Sequence, residues 1–248
     1  MDTSRIALQL YSVRDALAQD FAGTLRRVAE MGYSAVETAF LPDGVTFADA
    51  AAQLRAHGLT PISAHVDLPL GDARDGVLRI AEAYGVKRIV WHGWPEDPRY
   101  STLDGLRSLA DDYSAASAFA TSQGLSLGLH NHWWEMRPVG EVLPYRYMMQ
   151  HAAAELFFEL DAYWARVAGL DPLAVAREMG ARLPLLHIKD GPAVRHQPMS
   201  ALGTGVMDIP GLLAACGDAV EYVIVELDEC ATDMLEAVAA SRRYLASI

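Results

Sequence analysis

The chain has 248 residues, 52% of them hydrophobic, enough to bury one large core. Its formal net charge of −12 repels phosphate backbones and argues against a general nucleic-acid binder. No apolar run reaches the ~18 residues that cross a bilayer. The opening Met1-Asp-Thr-Ser-Arg-Ile6 lacks the pattern of a signal peptide, and Cys216 and Cys230 lack metal-type spacing, so a cytoplasmic protein with reduced thiols is expected.

Predicted strands and helices alternate along the chain. Strand Ile6–Val13 leads to helix Phe21–Met31, Ala35–Phe40 to Phe47–His57, Ile62–Leu68 to Arg74–Tyr84, and Arg88–Trp94 to Leu103–Gln123. Strands Ser126–His132 and Leu156–Ala162 follow, then helix Pro172–Met179, strands Leu185–Asp190 and Tyr222–Asp228, and helix Thr232–Leu245. Gly32, Gly58, Gly85 and Gly124 each stand between a helix and the next strand, where a left-handed C-cap suits glycine. Eight such strands at this length predict an α/β fold, a single closed (β/α)8 barrel domain over residues 1–248. An open doubly wound sheet is the competitor. It usually carries a glycine-rich loop after its first strand, where this chain has Tyr11-Ser-Val-Arg-Asp15.

Side chains alternate across a strand, so each apolar set implies an opposite, inward set. With Leu8, Val36, Ala64, Ile89, Phe158, Leu186 and Val225 facing the helices, the inward set is Gln9, Tyr11, Glu37, Ser63, His65, Asp67, His92, Glu159, Asp161, His187, Lys189, Glu226 and Asp228. On this reading Ile62 also faces out. In Leu125-Ser-Leu-Gly-Leu-His-Asn-His-Trp-Trp-Glu135, His130 and His132 share the face opposite Leu127 and Leu129. So many inward ionisable groups near strand ends are costly unless they pair or bind a metal.

The subset Asp161, His187 and Glu226, completed by His130 or Glu135, has the mixed carboxylate and imidazole character of a site for Mn²⁺, Mg²⁺, Co²⁺, Fe²⁺ or Zn²⁺. Such an ion could polarise a carbonyl and stabilise the enediolate formed by proton loss beside it. Glu37, His65 and His92 are candidates to bind substrate hydroxyls or relay protons. Trp133, Trp134 and Trp164 are candidates to stack on a sugar face. Lys189 is placed to steady an oxyanion; Arg14 and Arg195 are weaker candidates to grip an anion.

The segments Leu8-Gln-Leu-Tyr-Ser-Val-Arg14, Gly32-Tyr-Ser-Ala-Val-Glu37, His130-Asn-His132, Glu159-Leu-Asp-Ala-Tyr-Trp164, Ala168-Gly-Leu-Asp-Pro172, Leu186-His-Ile-Lys-Asp190 and Leu202-Gly-Thr-Gly-Val-Met-Asp208 together resemble the xylose isomerase-like superfamily, in particular its sugar phosphate isomerase/epimerase branch. That branch also holds inosose dehydratases. The resemblance implies a divalent metal on residues from strands five to eight, and Asp161, His187 and Glu226 match the last three positions. Strand five departs: ketose epimerases carry a glutamate at its tip, where this chain has His130, with a glutamate only at Glu135. Relatives often have Gly-Glu-Gly where Gly203-Thr-Gly205 stands. The resemblance further implies a metal-dependent isomerase or epimerase acting on a sugar or keto-polyol, and a homo-oligomer. Glu226 or His130 would then remove the proton alpha to the carbonyl, and Lys189 and His132 would stabilise or reprotonate the intermediate. A dehydratase or eliminating lyase shares that first step. A non-catalytic sugar-binding barrel is the reading from a different class. No membrane or nucleic-acid partner is expected, and a DNA-repair nuclease would need a basic groove that this sequence lacks.

Overall fold

Eight short strands pair in parallel, each with the next in sequence, and the last closes on the first. They are β1 (Ile6–Gln9), β2 (Ala35–Thr38), β3 (Thr60–Val66), β4 (Arg88–Trp91), β5 (Ser126–His130), β6 (Phe157–Asp161), β7 (Leu185–Ile188) and β8 (Tyr222–Val225). The computed structural model describes residues 2–248. The ring is closed by Ala7 beside Ile224 and Leu8 beside Val225.

The helices are α1 (Arg14–Gln19), α2 (Phe21–Glu30), α3 (Phe47–Ala56), α4 (Ala73–Tyr84), α5 (Leu103–Ser122), α6 (Pro144–His151), α7 (Ala162–Val167), α8 (Pro172–Met179), α9 (Ile209–Cys216) and α10 (Met234–Ser247). Local chemistry sets many of their starts. Asp20, Thr46, Thr102 and Asp233 each accept a main-chain N–H three residues on, satisfying a donor the first turn leaves free. Gly85 and Gly124 take φ of 67° and 71° at the turn back into a strand, as the glycine punctuation implied. Helices α1, α6, α7 and α9 had no counterpart in the sequence reading; they are six to eight residues long, too short for a clear period.

The core has two parts. Outward-facing Ile6, Leu8, Val36, Ala64, Ile89, Leu127, Phe158, Leu160, Leu186, Ile188, Val223 and Val225 pack under the helices. Inside the ring, Ala7, Ala35, Val90, Phe157, Leu185 and Ile224 form a separate apolar plug. Phe157 reaches across to Gly128, where an added Cβ would lie 2.2 Å from the Phe157 ring; only glycine leaves that room. Ile62 corrects the simple alternation. The register between β2 and β3 slips after Val36, and Ile62 packs on the inner plug rather than outside.

The strands also end earlier than expected, because side chains at the C-terminal mouth take over main-chain partners. Gln9 Oε1 accepts the Tyr11 N–H at 3.1 Å and turns the chain into a 3-10 turn at Leu10–Val13. His92 Nδ1 accepts the Trp94 N–H at 3.0 Å, with Gly93 at a φ of 74°. Strand β5 stops at His130, so His132 stands on a loop rather than on the strand. Asn131 pins that loop, accepting the Asp161 N–H at 2.9 Å and donating to the Asp161 carbonyl at 3.2 Å. Among the described residues no helix is long and apolar enough to cross a membrane.

Candidate active site

Above the plug the interior turns polar. Gln9, Glu37, Ser63, Glu159, Asp161, His187 and Lys189 are almost wholly buried, with His130 and Glu226 nearly so. Burying that many charged groups is tolerable only because they face one another.

The deepest layer is a square. The Oε2 atoms of Glu37 and Glu159 alternate with the Nε2 atoms of His65 and His187. His65 Nε2 lies 2.7 Å from Glu159 and 3.2 Å from Glu37, while His187 Nε2 lies 2.7 Å from Glu37 and 3.2 Å from Glu159. The two imidazoles are stacked, 5.5 Å apart and 3° from parallel. Gln9 and Ser63 donate to Glu37 at 2.9 and 2.5 Å. Burial alone would push Glu37 up, but the charges of His65 and His187 hold its carboxyl well below the usual range. Burial likewise disfavours the His65 cation, yet Glu37 and Glu159 outweigh it and raise His65 to about 10. Against the same burial penalty, Glu159 and Glu226 lift His187 well above the ordinary imidazole range. Geometry agrees: both ring nitrogens of His187 contact carboxylates, since Nδ1 also lies 2.8 Å from Glu226 Oε2.

The next layer outward carries the expected metal ligands. His130, Asp161, His187 and Glu226 each bring one donor atom into a group whose members lie within 4.8 Å of one another. A second such group, sharing two of its members, is His65, His130, Glu159 and His187. Asp161 is divided between two tasks. Its Oδ1 accepts the Trp164 N–H at 2.8 Å and starts α7, while its Oδ2 is enclosed 2.9 Å from the Lys189 ammonium, outside hydrogen-bond alignment. A buried carboxylate oxygen with no aligned donor, beside two imidazoles and a second carboxylate, fits a divalent cation. Burial pushes the Asp161 carboxyl up, against the nearby Lys189 charge. Glu226 goes the other way: burial opposes it, but Lys189 and His187 hold it far below the carboxylate range.

His130 is the fourth member that the structure brings in. Its Nδ1 lies 3.0 Å from Glu159 Oε2, and burial, then the charge of His187, holds its pKa well below an ordinary imidazole. Glu135 belongs to neither ligand group. Its Oε2 accepts the His132 N–H at 2.8 Å, which orients the loop after β5. His132 stacks on Trp134 at 4.2 Å and meets His130 edge-on at 5.1 Å, with its Nδ1 buried and unpartnered. Lys189 Nζ lies beside Asp161, Glu226 and Asp228, 5.5 Å from the centre of the Trp164 ring.

His92 stands apart. It accepts from Trp94 through Nδ1, lies 3.4 Å from the exposed Asp67, and is pulled down to about 4 by burial and then by the charge of His65. Arg14 donates to the carbonyls of Tyr11 and Asp228 and so braces the mouth, and Arg195 lies over the Trp133 ring. Two residues in the site were given no role from sequence, Glu159 and Asp228. Each sits two positions from a recognised residue, Asp161 and Glu226, and the same alternation put both on the inner face.

The chain belongs to the Xylose isomerase-like TIM barrel family, whose model matches residues 25–247. Among solved structures it resembles a sugar phosphate isomerase/epimerase from Parabacteroides distasonis, at 23% identity and a TM-score of 0.83 over 99% of this chain and 94% of that one. It also resembles a probable 3-DHS dehydratase, AsbF, from Bacillus anthracis, at 12% identity and a TM-score of 0.77 over 98% of each. A third is the IOLI protein with a bound zinc atom, at 15% identity and a TM-score of 0.72 over 98% of this chain and 97% of that one. At these identities the likeness is one of fold. A search of curated protein sequences gives no match.

Proposed function

We propose that this protein is a divalent-metal-dependent isomerase or epimerase acting on a sugar or keto-polyol. The observation that carries the reading is the convergence of His130, Asp161, His187 and Glu226, from four adjacent strands, at the mouth of the barrel. Active sites of this fold sit at that face. Those four residues would hold the ion, which when bound supplies a Lewis acid for a substrate carbonyl. His130 is the better fourth ligand, because Glu135 is occupied with the β5 loop.

Proton transfer then falls to groups beside the ligands. Glu226 is a poor base here, since two cations depress its proton affinity. We assign the transfer to His132: its Nδ1 is buried 3.6 Å from Glu135 Oε1, which leaves Nε2 to exchange the proton with substrate. The Lys189 ammonium is placed to hold a developing oxyanion. Glu37 and His65 shape the floor beneath the substrate rather than the reacting edge, and Trp164 and Trp134 wall the mouth.

A lyase is the second reading, favoured by one feature: the β5 tip offers an imidazole in place of the carboxylate a symmetric two-glutamate epimerase needs. The experiment is a screen of keto-sugars and keto-inositols with Mn²⁺ in deuterated solvent. Deuterium at the carbon alpha to the carbonyl, with no new enone absorbance, supports the isomerase. Enone formation supports the lyase. Neither outcome, with metal bound, leaves a sugar-binding barrel and sinks the enzymatic reading.

A further inference from the structure

Among the described residues Lys189 is the one ammonium within this nest of carboxylates, and it is 1% exposed. Its Nζ lies 2.9 Å from Asp161 Oδ2, 2.8 Å from Glu226 Oε2 and 2.9 Å from both carboxylate oxygens of Asp228. These contacts are not equivalent. Asp228 is the carboxylate the ammonium holds through both oxygens, whereas Asp161 and Glu226 each meet it through one. Asp161 Oδ2 meets the ammonium at 2.9 Å without a well-aligned hydrogen bond. Asp161 and Glu226 belong to the group that can hold a cation; Asp228 does not. The lysine therefore shares two carboxylates with the ion's position and bonds to a third that the ion does not use.

Resting on the metal-binding reading above, we propose that Lys189 is a resident cation that competes with the metal for Asp161 and Glu226. Asp228 is the anchor onto which its ammonium withdraws when the ion enters. Before the ion arrives, five carboxylates (Glu37, Glu159, Asp161, Glu226 and Asp228) crowd the interior against His65, His187 and Lys189. The ammonium offsets part of that repulsion and keeps the ligands converged. Once the ion is present, two cations share the same oxygens and repel. The lysine thus holds metal affinity below what the four ligands alone would give, and makes the ion exchangeable. Its charge stays constant throughout; only its partner changes.

The test is calorimetric titration of Mn²⁺ into metal-stripped wild-type protein, Lys189→Met and Asp228→Asn, with melting temperatures recorded with and without Mn²⁺. Lys189→Met is expected to bind Mn²⁺ at least tenfold more tightly. Its metal-free form should melt lower than wild type and gain more on adding Mn²⁺. Asp228→Asn is expected to bind severalfold more weakly, because the ammonium has lost its retreat and stays on the ligands. A merely loosened pocket would weaken both variants, so the opposite signs are diagnostic. Equal or weaker binding by Lys189→Met, or equal or tighter binding by Asp228→Asn, overturns the inference. If Lys189→Met does not fold, Asp228→Asn decides alone. If wild type takes up no Mn²⁺, the metal reading itself falls and this inference with it. If wild type binds and the variants do not diverge, only this inference falls.

Discussion

Asp190 follows Lys189 directly, and its carboxylate organises the loop that rims the mouth. It is fully buried and accepts four main-chain N–H groups: Gly191 and Met207 on Oδ1 at 2.8 and 3.1 Å, Gly203 and Gly205 on Oδ2 at 2.9 and 3.0 Å. Asp190→Asn keeps the shape but gives one of those oxygens' positions to an NH₂ group, which must then face two N–H donors. Two charge-assisted hydrogen bonds are lost, at roughly 1.5–3 kcal/mol each. Gly203 and Gly205 are exposed, so amide rotation that frees their N–H groups to water is the cheaper arrangement. That places the cost near the lower end, about 3–4 kcal/mol, a large share of the ~5–15 kcal/mol that stabilises a typical domain. For a chain of this size the melting temperature should fall by roughly 6–16 °C. Urea unfolding and calorimetry measure both quantities. Hydrogen exchange should show the loss of protection concentrated at Leu202–Asp208. A variant within about 0.5 kcal/mol of wild type, at the ordinary noise of a surface substitution, would show that this carboxylate is not the loop's anchor.

Asp161→Asn and His187→Ala should each abolish the rise in melting temperature that Mn²⁺ gives the wild-type protein, while circular dichroism keeps the barrel's signature; full retention of that rise would remove them from the ligand set. Gly128→Ala drives a Cβ to within 2.2 Å of the Phe157 ring and should destabilise by about 1–3 kcal/mol, with Gly128→Ala/Phe157→Leu recovering part of the loss in urea melts. Absence of any loss would mean the inner plug is loosely packed. For pH, the folded His65 pKa of about 10 stands above its ordinary 6.5, so its contribution to stability is complete below pH 6.5 and is lost as pH rises through 10. Metal-stripped protein should therefore weaken in urea between those limits, and His65→Gln should flatten the slope; an unchanged slope would refute it. The buried Cys216 thiol, pushed up to about 11 by burial, should alkylate at pH 8 far more slowly than the half-buried Cys230, read by mass spectrometry of the native protein.

Much of this molecule could be read from its residues. The alternation of helical stretches, glycine and short apolar strands named the parallel β/α class, and eight strands without a glycine-rich loop after the first favoured the closed barrel over an open sheet. Period two placed Glu37, His65, His130, Glu159, Asp161 and His187 on the inner face, since one side of each strand is greasy. The same rule misplaced Ile62, where a slipped register breaks the period. It also overran the strand ends, where Gln9, His92 and Asn131 accept main-chain donors that a ladder would otherwise take. His132 and Glu135 were the least legible, because a loop carries no period.

Composition and pattern by themselves determined the class of fold, the inner polar face and three residues of the candidate ligand set, since these follow from local periodicity along each strand. Only the closed ring decided which charges meet. His187 touches Glu37, 150 residues away in the chain, and Lys189 leans on Asp228 rather than on a neighbour in sequence. Such pairings depend on barrel closure and register, which bring distant strand ends within 3 Å, and no local pattern encodes that distance.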